Sequence, residues 1–560
     1  MASRLGEEVA VGLLAGPEDF QRVREAIRGG YMARLWGELT DYIESPASRE
    51  QGSHRGADPV SDIAFAAAVS GRQDWAARAV EGALDYCHRP HWLNWEAGCS
   101  PLDGMHMAHH VCLVLDWLWP ILGRDQREAL LSGVIAKGIE NLSPPPPGVR
   151  NEDGRGQLLM ARRMDKDDPH CLHPHHNSVN NWDLWFSGGI FMAAALAERA
   201  FLKSDPSWPK LEWGHYYDTG YSLDQARIDR WKGIAIERIT TALANELGPE
   251  GDYAEGISYG AYGGRAIITA LTALDRVGGK DLFTPELLKM PGWLRNQFIA
   301  DIPFGAANFN DALIFSKTPV QLLAHLARRS RDPEIQAMVM EALDHKAERV
   351  DHLSLLGLDP TLEAQATPLP ASKLFTHTGT VVWRTAQDRS GVFFVLQCGA
   401  HGGAHQHHDR NSIFLSAYGE HLVVDTGDSR YASPPSNPNH VESIAHSTVL
   451  IDGRGQIGDN NNPVSGHILD YVDEESLSAV LGEAGECYAG IASCRRRVVF
   501  ARPDLLVMTD RVEGDCSTIT WLLQGYNSDG MARWICGDRQ AVLSRPLGKL
   551  HIFFLEPVTG

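Results

Sequence analysis

The sequence predicts a multidomain α + β protein, with a helical domain over residues 1–355 followed by an antiparallel β-sandwich over residues 370–560. The chain has 560 residues, which exceeds what one hydrophobic core usually supports, so two domains are expected. Up to about residue 350, apolar residues recur every three or four positions, the spacing of an amphipathic helix. After about residue 372, the pattern changes to short runs rich in β-branched and aromatic residues, separated by Gly, Asp and Asn.

Helical periodicity defines a series of segments in the first domain. In one of them Met105, His109 and Cys112 show the spacing, and Pro120 ends the segment. Many helices of similar length with short connections fit either an α/α toroid or a helix bundle, and periodicity alone does not distinguish the two. The predicted helical segments are 18–46, 58–80, 102–122, 124–142, 178–200, 222–246, 259–277, 284–299 and 318–347.

Residues from about 350 to 372 lose this periodicity and are predicted to connect the two domains. The runs that follow have the length and composition of strands, which favours an antiparallel sandwich. A hairpin turn is predicted at Tyr418-Gly-Glu, between two of these runs. The predicted strands are 380–383, 392–396, 412–417, 422–424, 446–452, 497–500, 505–508, 519–523 and 550–555.

The composition is that of a soluble globular protein, with 43% hydrophobic and 22% charged residues. The formal net charge of −20 argues against nucleic acid as the main partner. The nine cysteines are scattered and include no Cys-x-x-Cys pair, so we expect reduced, mostly buried thiols rather than a disulfide framework. No organic cofactor is expected.

The N-terminus lacks the basic and apolar regions of a signal peptide, and no apolar run is long enough to cross a bilayer. We therefore expect a soluble chain without a membrane partner. If a leader has been removed from the sequence, the protein would be periplasmic or secreted, and otherwise it would be cytoplasmic.

A histidine-dense stretch from His401 to Asp425 is the first candidate site, because imidazole suits both proton transfer and metal binding. Within it, His407 and Asp425 would lie on neighbouring pieces of backbone, and His446 opens another strand-like run. Two His and one carboxylate form a plausible zinc site. Their spacing matches none of the short zinc motifs, so a His-rich loop without a metal fits the pattern equally well.

Three motifs occur together in this part of the chain. They are His405-Gln-His407-His408-Asp409-Arg-Asn-Ser-Ile-Phe, Tyr418-Gly-Glu-His-Leu-Val-Val-Asp425-Thr-Gly and His446-Ser-Thr-Val. In this combination they resemble the C-terminal sheet domain of the heparinase II/III-like polysaccharide lyases. The resemblance implies a catalytic role for His405 and a divalent metal, usually zinc, bound by His407, Asp425 and His446.

The same resemblance spans roughly residues 90–525 and has consequences for the fold. It favours an incomplete α/α toroid for the helical domain. It also implies a β-sandwich that is incomplete at its C-terminus, since members of this family often run further. The metal would have a structural role, fixing the strand and loop that present His405.

A second candidate segment, residues 170–186, leads from a polar loop into an apolar helix. Polar residues at its start can cap this helix, which places Asn180 and Asn181 in the first turn, where free N–H groups favour a bound anion. The same pattern also fits a capped structural helix whose tryptophans lie in the core.

The resemblance gives this segment a role, because Asn180-Asn181-Trp182 is similar to the family segment whose Asn or His neutralises the substrate carboxylate. This implies that role for Asn181. Some relatives have His directly after this Asn, whereas this chain has Trp182, and His175 or His176 is the implied substitute. The catalytic candidates are therefore Asn181 and His176, and the substrate-binding candidates are Asn180, His175 and Trp182.

A third segment, residues 248–265, is a Gly-rich turn that leads into a helix with Tyr259 and Tyr262 on one face. Tyrosines at this spacing usually pack in a core. The segment is similar, however, to the family pattern Asp-Gly-x-x-x-Glu-Gly-x-x-Tyr, with Glu250 in place of the Asp. The match implies that Tyr259 is catalytic, and Glu255 is a further substrate-binding candidate.

The implied reaction cuts a uronate polysaccharide without water. A base removes the C5 proton beside the carboxylate, and the C4–O4 bond then breaks by β-elimination, which leaves an unsaturated uronate end. The enzyme must neutralise the carboxylate and stabilise the developing charge, and Asn181 with a nearby His suits that task. Either His405 or Tyr259 removes the proton, depending on the C5 stereochemistry, and Tyr259 is suited to protonate O4 in both cases.

Other interpretations remain open. A carboxylate-dependent glycan hydrolase on the same scaffold would use Asp252 and Glu255. A zinc-dependent hydrolase would use an ion held by His407, Asp425 and His446 to activate water. A non-catalytic carbohydrate-binding protein is the third alternative, and the 15 tryptophans fit it. Eliminative cleavage creates an ultraviolet-absorbing end and hydrolysis does not, so the product separates these alternatives.

The expected partner is an acidic polysaccharide or oligosaccharide, such as heparan sulfate, hyaluronan, chondroitin or alginate. The net charge of −20 would repel such a polymer at long range, so its cleft would need cationic side chains. Among the cationic residues, Arg410 is the main substrate-binding candidate, and Arg162, Arg163 and Arg265 are further candidates.

Overall fold

The first part of the fold is helical in the computed structural model, which describes residues 5–48, 59–89, 92, 102–139, 181–202, 225–299, 304–346, 348–401, 405–428, 439–458 and 463–555. All structural statements below concern these residues. The helices are α1 (Pro17–Ala26), α2 (Gly30–Glu44), α3 (Val60–Ser70), α4 (Gln73–His88), α5 (Leu102–Trp117), α6 (Arg124–Gly133), α7 (Asn181–Leu196), α8 (Gln225–Glu246), α9 (Ile257–Gly278), α10 (Pro285–Gln297), α11 (Val320–Ser330), α12 (Pro333–Asp344) and α13 (His352–Gly357).

Three of the predicted helical segments, 18–46, 58–80 and 318–347, are each split into two helices. Gly71 ends α3 with a φ of 78°, and Arg331 ends α11 with a φ of 57°. A left-handed residue satisfies carbonyl groups at a helix end and turns the chain away. The apolar spacing continues across such a break, because both helices face the same core, and periodicity therefore does not reveal it.

Helix α7 is the central element of the helical domain. Almost every residue from Asn181 to Leu196 is buried, so the helix is enclosed on all sides. It packs against α5, α8 and α9. Because its first residue is Asn181, this packing fixes the position of a predicted site residue at the helix N-terminus.

The second part of the chain consists of antiparallel sheets. Strands β1, β2, β3, β5 and β6 form one sheet in that order, and β12, β11, β10 and β9 form another. The strands are β1 (Ser372–Phe375), β2 (Thr380–Arg384), β3 (Val392–Gln397), β4 (Ala400–His401), β5 (Ser412–Ala417), β6 (Glu420–Val423), β7 (Val449–Ile451), β8 (Val464–Ser465), β9 (His467–Asp473), β10 (Leu477–Glu483), β11 (Ile491–Ala501), β12 (Leu505–Gly514), β13 (Ile519–Trp521), β14 (Arg533–Cys536), β15 (Gln540–Ser544) and β16 (Lys549–Phe553).

The five-stranded sheet is buried on both faces. On one face Trp383 stacks on Phe394 and on Phe500 of the four-stranded sheet, with ring centroids 5.1 and 5.9 Å away. On the other face Phe393 and Phe414 belong to the core of the helical domain. Strands buried on both sides are apolar throughout, which explains the continuous apolar run of β3. The helical domain and this sheet therefore hold each other in place.

The predicted order of helices followed by antiparallel sheets is confirmed. The predicted hairpin is also present, since β5 and β6 pair through a turn at Tyr418 and Gly419, which have φ values of 55° and 81°. The strands that were not predicted are β1, β4, β8, β9, β10, β14 and β15. In β9 and β10 polar residues interrupt the apolar pattern. Among the described residues no helix is long and apolar enough to cross a membrane.

Candidate active site

The N-terminus of α7 is joined to the turn before α9 through Asn181 and Glu255. Asn181 Nδ2 donates to both Glu255 carboxylate oxygens at 2.9 Å, and the Asn181 backbone N–H donates to Oε2 at 3.1 Å. The Tyr253 hydroxyl donates to the same Oε2 at 3.0 Å. Burial raises the pKa of Glu255, although the neighbouring His405 and these donors partly oppose the shift. Glu255 therefore holds Asn181 and Tyr253 in one buried group.

A glycine on α9 permits this close packing. A Cβ atom at Gly263 would lie 2.9 Å from the Tyr253 hydroxyl and 3.3 Å from Asn181 Cβ. A side chain there would push these residues apart. Gly263 thus lets α9 pack closely against Asn181 at the start of α7.

His405 lies flat against Tyr259, across the boundary between the helical and sheet domains. The two ring centroids are 3.4 Å apart and the planes differ by 13°. His405 Nε2 lies 3.7 Å from Glu255 Oε1, so this stack adjoins the Asn181 group. Burial lowers the pKa of His405, although Glu255 opposes the shift, and this favours a neutral imidazole that can accept a proton.

The Asp311 carboxylate contacts both His405 and His407. Its Oδ2 lies 2.7 Å from His405 Nδ1, and its Oδ1 lies 2.9 Å from His407 Nε2. The Asp311 backbone N–H donates to the His405 carbonyl at 3.0 Å. His405 has a φ of 63°, a backbone conformation that residues other than glycine rarely adopt. These contacts hold the backbone in it.

His407, Asp425 and His446 form a buried group with ligand atoms close enough for one metal ion. His446 Nδ1 lies 2.8 Å from Asp425 Oδ2. His407 Nδ1 and His446 Nε2 are buried and have no hydrogen-bond partner among the residues described. Buried nitrogens without partners are costly, and a cation would satisfy both. Burial, followed by repulsion from His446, lowers the pKa of His407 to about 4, which keeps the imidazole neutral as a ligand must be.

These residues therefore fit the predicted zinc ion. All three side chains are almost completely buried, so an ion there would be screened from a polymer, and this supports a structural role. A second group, formed by Asp311, His407 and His440, also has ligand atoms within metal-binding distance of one another. His407 belongs to both groups.

Elemental analysis of protein purified without chelator is expected to find about one zinc-like ion per chain, as is usual for a two-His, one-carboxylate site. His446→Ala should lose most of this metal, because it removes one of three ligands. His440→Ala is the matched control and should retain it. The absence of bound metal in protein that was never exposed to a chelator would contradict the proposed metal site.

The structure brings together most of the predicted site residues that it describes. Asn181, Glu255, Tyr259 and His405 form one contiguous group. Trp182, the residue after Asn181, is half-buried and packs on Phe186, with ring centroids 6.2 Å apart. The predicted site residues His175, His176 and Asn180, and the candidates Arg162 and Arg163, lie outside the described residues.

Two of the substrate-binding candidates, Glu255 and Arg410, are buried and have partners within the protein. Both Glu255 carboxylate oxygens accept hydrogen bonds from Asn181, and one also accepts from Tyr253, so Glu255 supports Asn181. Arg410 is 1% exposed, and its guanidinium binds the Asp409 carboxylate and the carbonyl of Ala400. Because these partners compensate for its charge, Arg410 stabilises the loop that carries the histidines.

The further candidate Arg265 is similarly engaged, since its guanidinium lies 2.8 Å from the Asp351 carboxylate. The sequence analysis also missed Asp311, Tyr253 and His440. Asp311 lies between α10 and α11 in a segment without periodicity, and its contacts with the His cluster join residues 94 and 96 positions apart. The Asp-Ala-Leu pattern around it contains no signal that would have identified it.

A family model, Heparinase II/III-like, C-terminal, matches residues 367–526. This confirms the resemblance for the part of the chain that contains β1 to β13 and the histidine cluster. A search of curated proteins finds no match.

Solved structures resemble the chain over most of its length. A heparinase III structure has a TM-score of 0.55 at 14% identity, over 88% of this chain and 69% of that one. A second heparinase III structure has a TM-score of 0.53 at 14% identity, over 95% and 75%. A heparan sulfate lyase from Pedobacter heparinus has a TM-score of 0.50 at 14% identity, over 88% and 68%. These likenesses confirm the fold class, an incomplete α/α toroid followed by an antiparallel β-sandwich.

Proposed function

We propose that this chain, whose residues 367–526 match the heparinase II/III-like C-terminal domain, is a polysaccharide lyase that cleaves a uronic-acid polymer by β-elimination. One observation carries the proposal: His405 of the sheet domain stacks on Tyr259 of the helical domain, directly beside Asn181 and its partner Glu255. Three segments that are distant in sequence thus supply an amide, a phenol and an imidazole to one group. These are the groups that the elimination requires.

Asn181 is proposed to neutralise the substrate carboxylate. Its Nδ2 carries two hydrogens, and when one is shared between the two Glu255 oxygens the other remains for the substrate. The hydrogen bond to the substrate strengthens as negative charge moves onto the carboxylate during proton removal.

Tyr259 and His405 are proposed to transfer the protons. One of them takes the C5 proton, the C5–H electrons form the C4–C5 double bond, and O4 leaves with the electrons of the C4–O4 bond. Tyr259 then protonates O4. The stereochemistry at C5 decides which side chain acts as the base. A bound zinc ion would supply structural support for the segment that carries His405.

The substrate class is proposed to be an acidic polysaccharide, either a glycosaminoglycan or alginate. The similar structures are of heparinase III and a heparan sulfate lyase, which favours a glycosaminoglycan. No observation favours a hydrolase. Asp252, one of the two carboxylates that hydrolysis would use, is completely buried and accepts a hydrogen bond from the Thr378 backbone N–H at 2.8 Å.

Purified protein incubated with heparan sulfate, chondroitin, hyaluronan and alginate is expected to generate ultraviolet absorbance from unsaturated uronate ends on at least one polymer. The reason is that β-elimination conjugates the new double bond with the carboxylate. Protein loaded with zinc should be used, and heat-inactivated protein is the control. New reducing ends without this absorbance would indicate hydrolysis and would contradict the proposal.

A further inference from the structure

Asp311 contacts two histidines with different proposed roles. Its carboxylate lies 2.7 Å from His405 Nδ1 through one oxygen and 2.9 Å from His407 Nε2 through the other. Asp311 and His407 are almost completely buried, and the His405 side chain is 16% exposed. Because water is largely excluded, the carboxylate has little competition for these two ring nitrogens.

A carboxylate accepts hydrogen bonds and does not donate them, so each nitrogen that faces Asp311 carries its hydrogen. His405 is then protonated at Nδ1 and has its lone pair at Nε2. His407 is protonated at Nε2 and has its lone pair at Nδ1. One side chain thereby selects the tautomer of both rings.

These are the tautomers that the two proposed sites need. The free lone pair of His405 is at Nε2. This atom lies 3.7 Å from Oε1 of Glu255, the partner of Asn181. The free lone pair of His407, at Nδ1, belongs to a buried atom without a hydrogen-bond partner in the described part of the chain. The His407 and His446 rings are 5.3 Å apart, within the proposed zinc group.

The segment that carries Asp311 also holds the backbone of a third residue of this region. Asn308 Nδ2 donates to the Asp425 carbonyl at 2.8 Å, and the Asp425 backbone N–H donates to Asn308 Oδ1 at 3.2 Å. Asn308 and Asp311 belong to the helical domain, whereas the proposed metal ligands belong to the sheet domain. The contacts therefore join the two domains at the proposed site.

We propose that Asp311 is a positioning residue that fixes the tautomers of His405 and His407 together, and so links the metal site to the proton-transfer site. Its effect on His405 rests on the proposed lyase function, whereas its effect on His407 does not. Groups that hydrogen-bond to metal-binding histidines orient the ring and raise ligand basicity, and their removal typically costs about 10- to 100-fold in metal affinity or activity.

Asp311→Asn tests this role with little change in volume. An amide has one acceptor oxygen and one donor nitrogen, so it cannot accept from both rings. We expect metal affinity, measured by competition with a chromophoric chelator, to fall by about 10- to 100-fold. We also expect kcat to fall on an active polymer while KM changes little.

Asp62→Asn is the matched control. Asp62 on α3 lies 2.7 Å from His352 Nδ1, so this variant breaks a buried Asp–His contact of the same length outside the proposed site. It should lower the melting temperature without changing metal affinity. If a folded Asp311→Asn protein also keeps wild-type metal affinity, the positioning role is wrong.

Wild-type holoprotein gives a second test that does not depend on the folding of a variant. Nitrogen-15 NMR of histidine-labelled protein is expected to find His405 protonated at Nδ1 and His407 at Nε2. The opposite tautomer at either ring would overturn the proposal. Both this measurement and the chelator competition remain decisive if no polymer is cleaved, which separates failure of this inference from failure of the proposed function.

The second metal-compatible group makes a distinct prediction. If Asp311, His407 and His440 bind the ion directly, Asp311→Asn should lose the metal completely while His446→Ala retains it. That combination would identify Asp311 as a ligand and would overturn its positioning role.

Discussion

Tyr259→Phe is expected to lower kcat by about two to four orders of magnitude, the usual cost of removing a positioned general acid or base. The substitution deletes only the hydroxyl, and the ring that stacks on His405 at 3.4 Å remains. The fold and most of the substrate affinity should therefore be retained. Steady-state kinetics on an active polymer, with the ultraviolet absorbance of the product as the readout, measures this effect.

Tyr262→Phe is the internal control, because it removes the same group one turn away on α9. The Tyr262 hydroxyl lies 2.8 Å from His106 Nε2, so its loss should cost about 1 kcal/mol of stability, as is typical for one hydrogen bond. Activity should fall far less than in Tyr259→Phe. Near wild-type rates for both variants would move the proton-transfer role from Tyr259 to His405.

Asn181→Ala is expected to lower kcat by about 100- to 1,000-fold, the usual effect of removing one hydrogen-bond donor to a developing negative charge. KM should change less, because the charge that Asn181 stabilises is largest in the transition state. The variant also removes donors from buried Glu255, which should cost about 1–3 kcal/mol of stability. Kinetics below the melting temperature isolates the effect on catalysis.

Tyr253→Phe provides the control for that loss of stability. It removes another donor to Glu255, the hydroxyl at 3.0 Å, and leaves the amide of Asn181 in place. We expect a comparable decrease in melting temperature and a much smaller decrease in kcat. Equal losses of kcat in the two variants would show that Asn181 acts only through the packing of this group.

Much of the fold could be predicted from the sequence, because burial imposes a period on each element. The helices α5 and α9 and the strands β3 and β5 have strong apolar patterns, and the structure contains each of them. Helix breaks were missed because the apolar face continues across them. Strands β9 and β10 were missed because the four-stranded sheet exposes part of its surface, so polar residues interrupt the pattern.

The site was predicted less completely. His405, Tyr259 and Asn181 were recognised from motifs, and the contacts across the domain boundary now bring them together. Asp311 was missed because a carboxylate in an irregular segment has no motif, and its role arises only from folding. The burial of Arg410 was not foreseen because charged residues are usually exposed, whereas here Asp409 and backbone carbonyls compensate for its burial.

Cleavage in water enriched in oxygen-18, followed by mass spectrometry of the products, tests the central claim most directly. β-Elimination breaks the C4–O4 bond without adding water, so the account expects unsaturated products that contain no oxygen-18 from the cleavage step. Exchange at reducing ends is corrected with a control in which finished product is incubated in the same water. Saturated products that carry one added oxygen-18 per cleavage would show hydrolysis and would contradict the account.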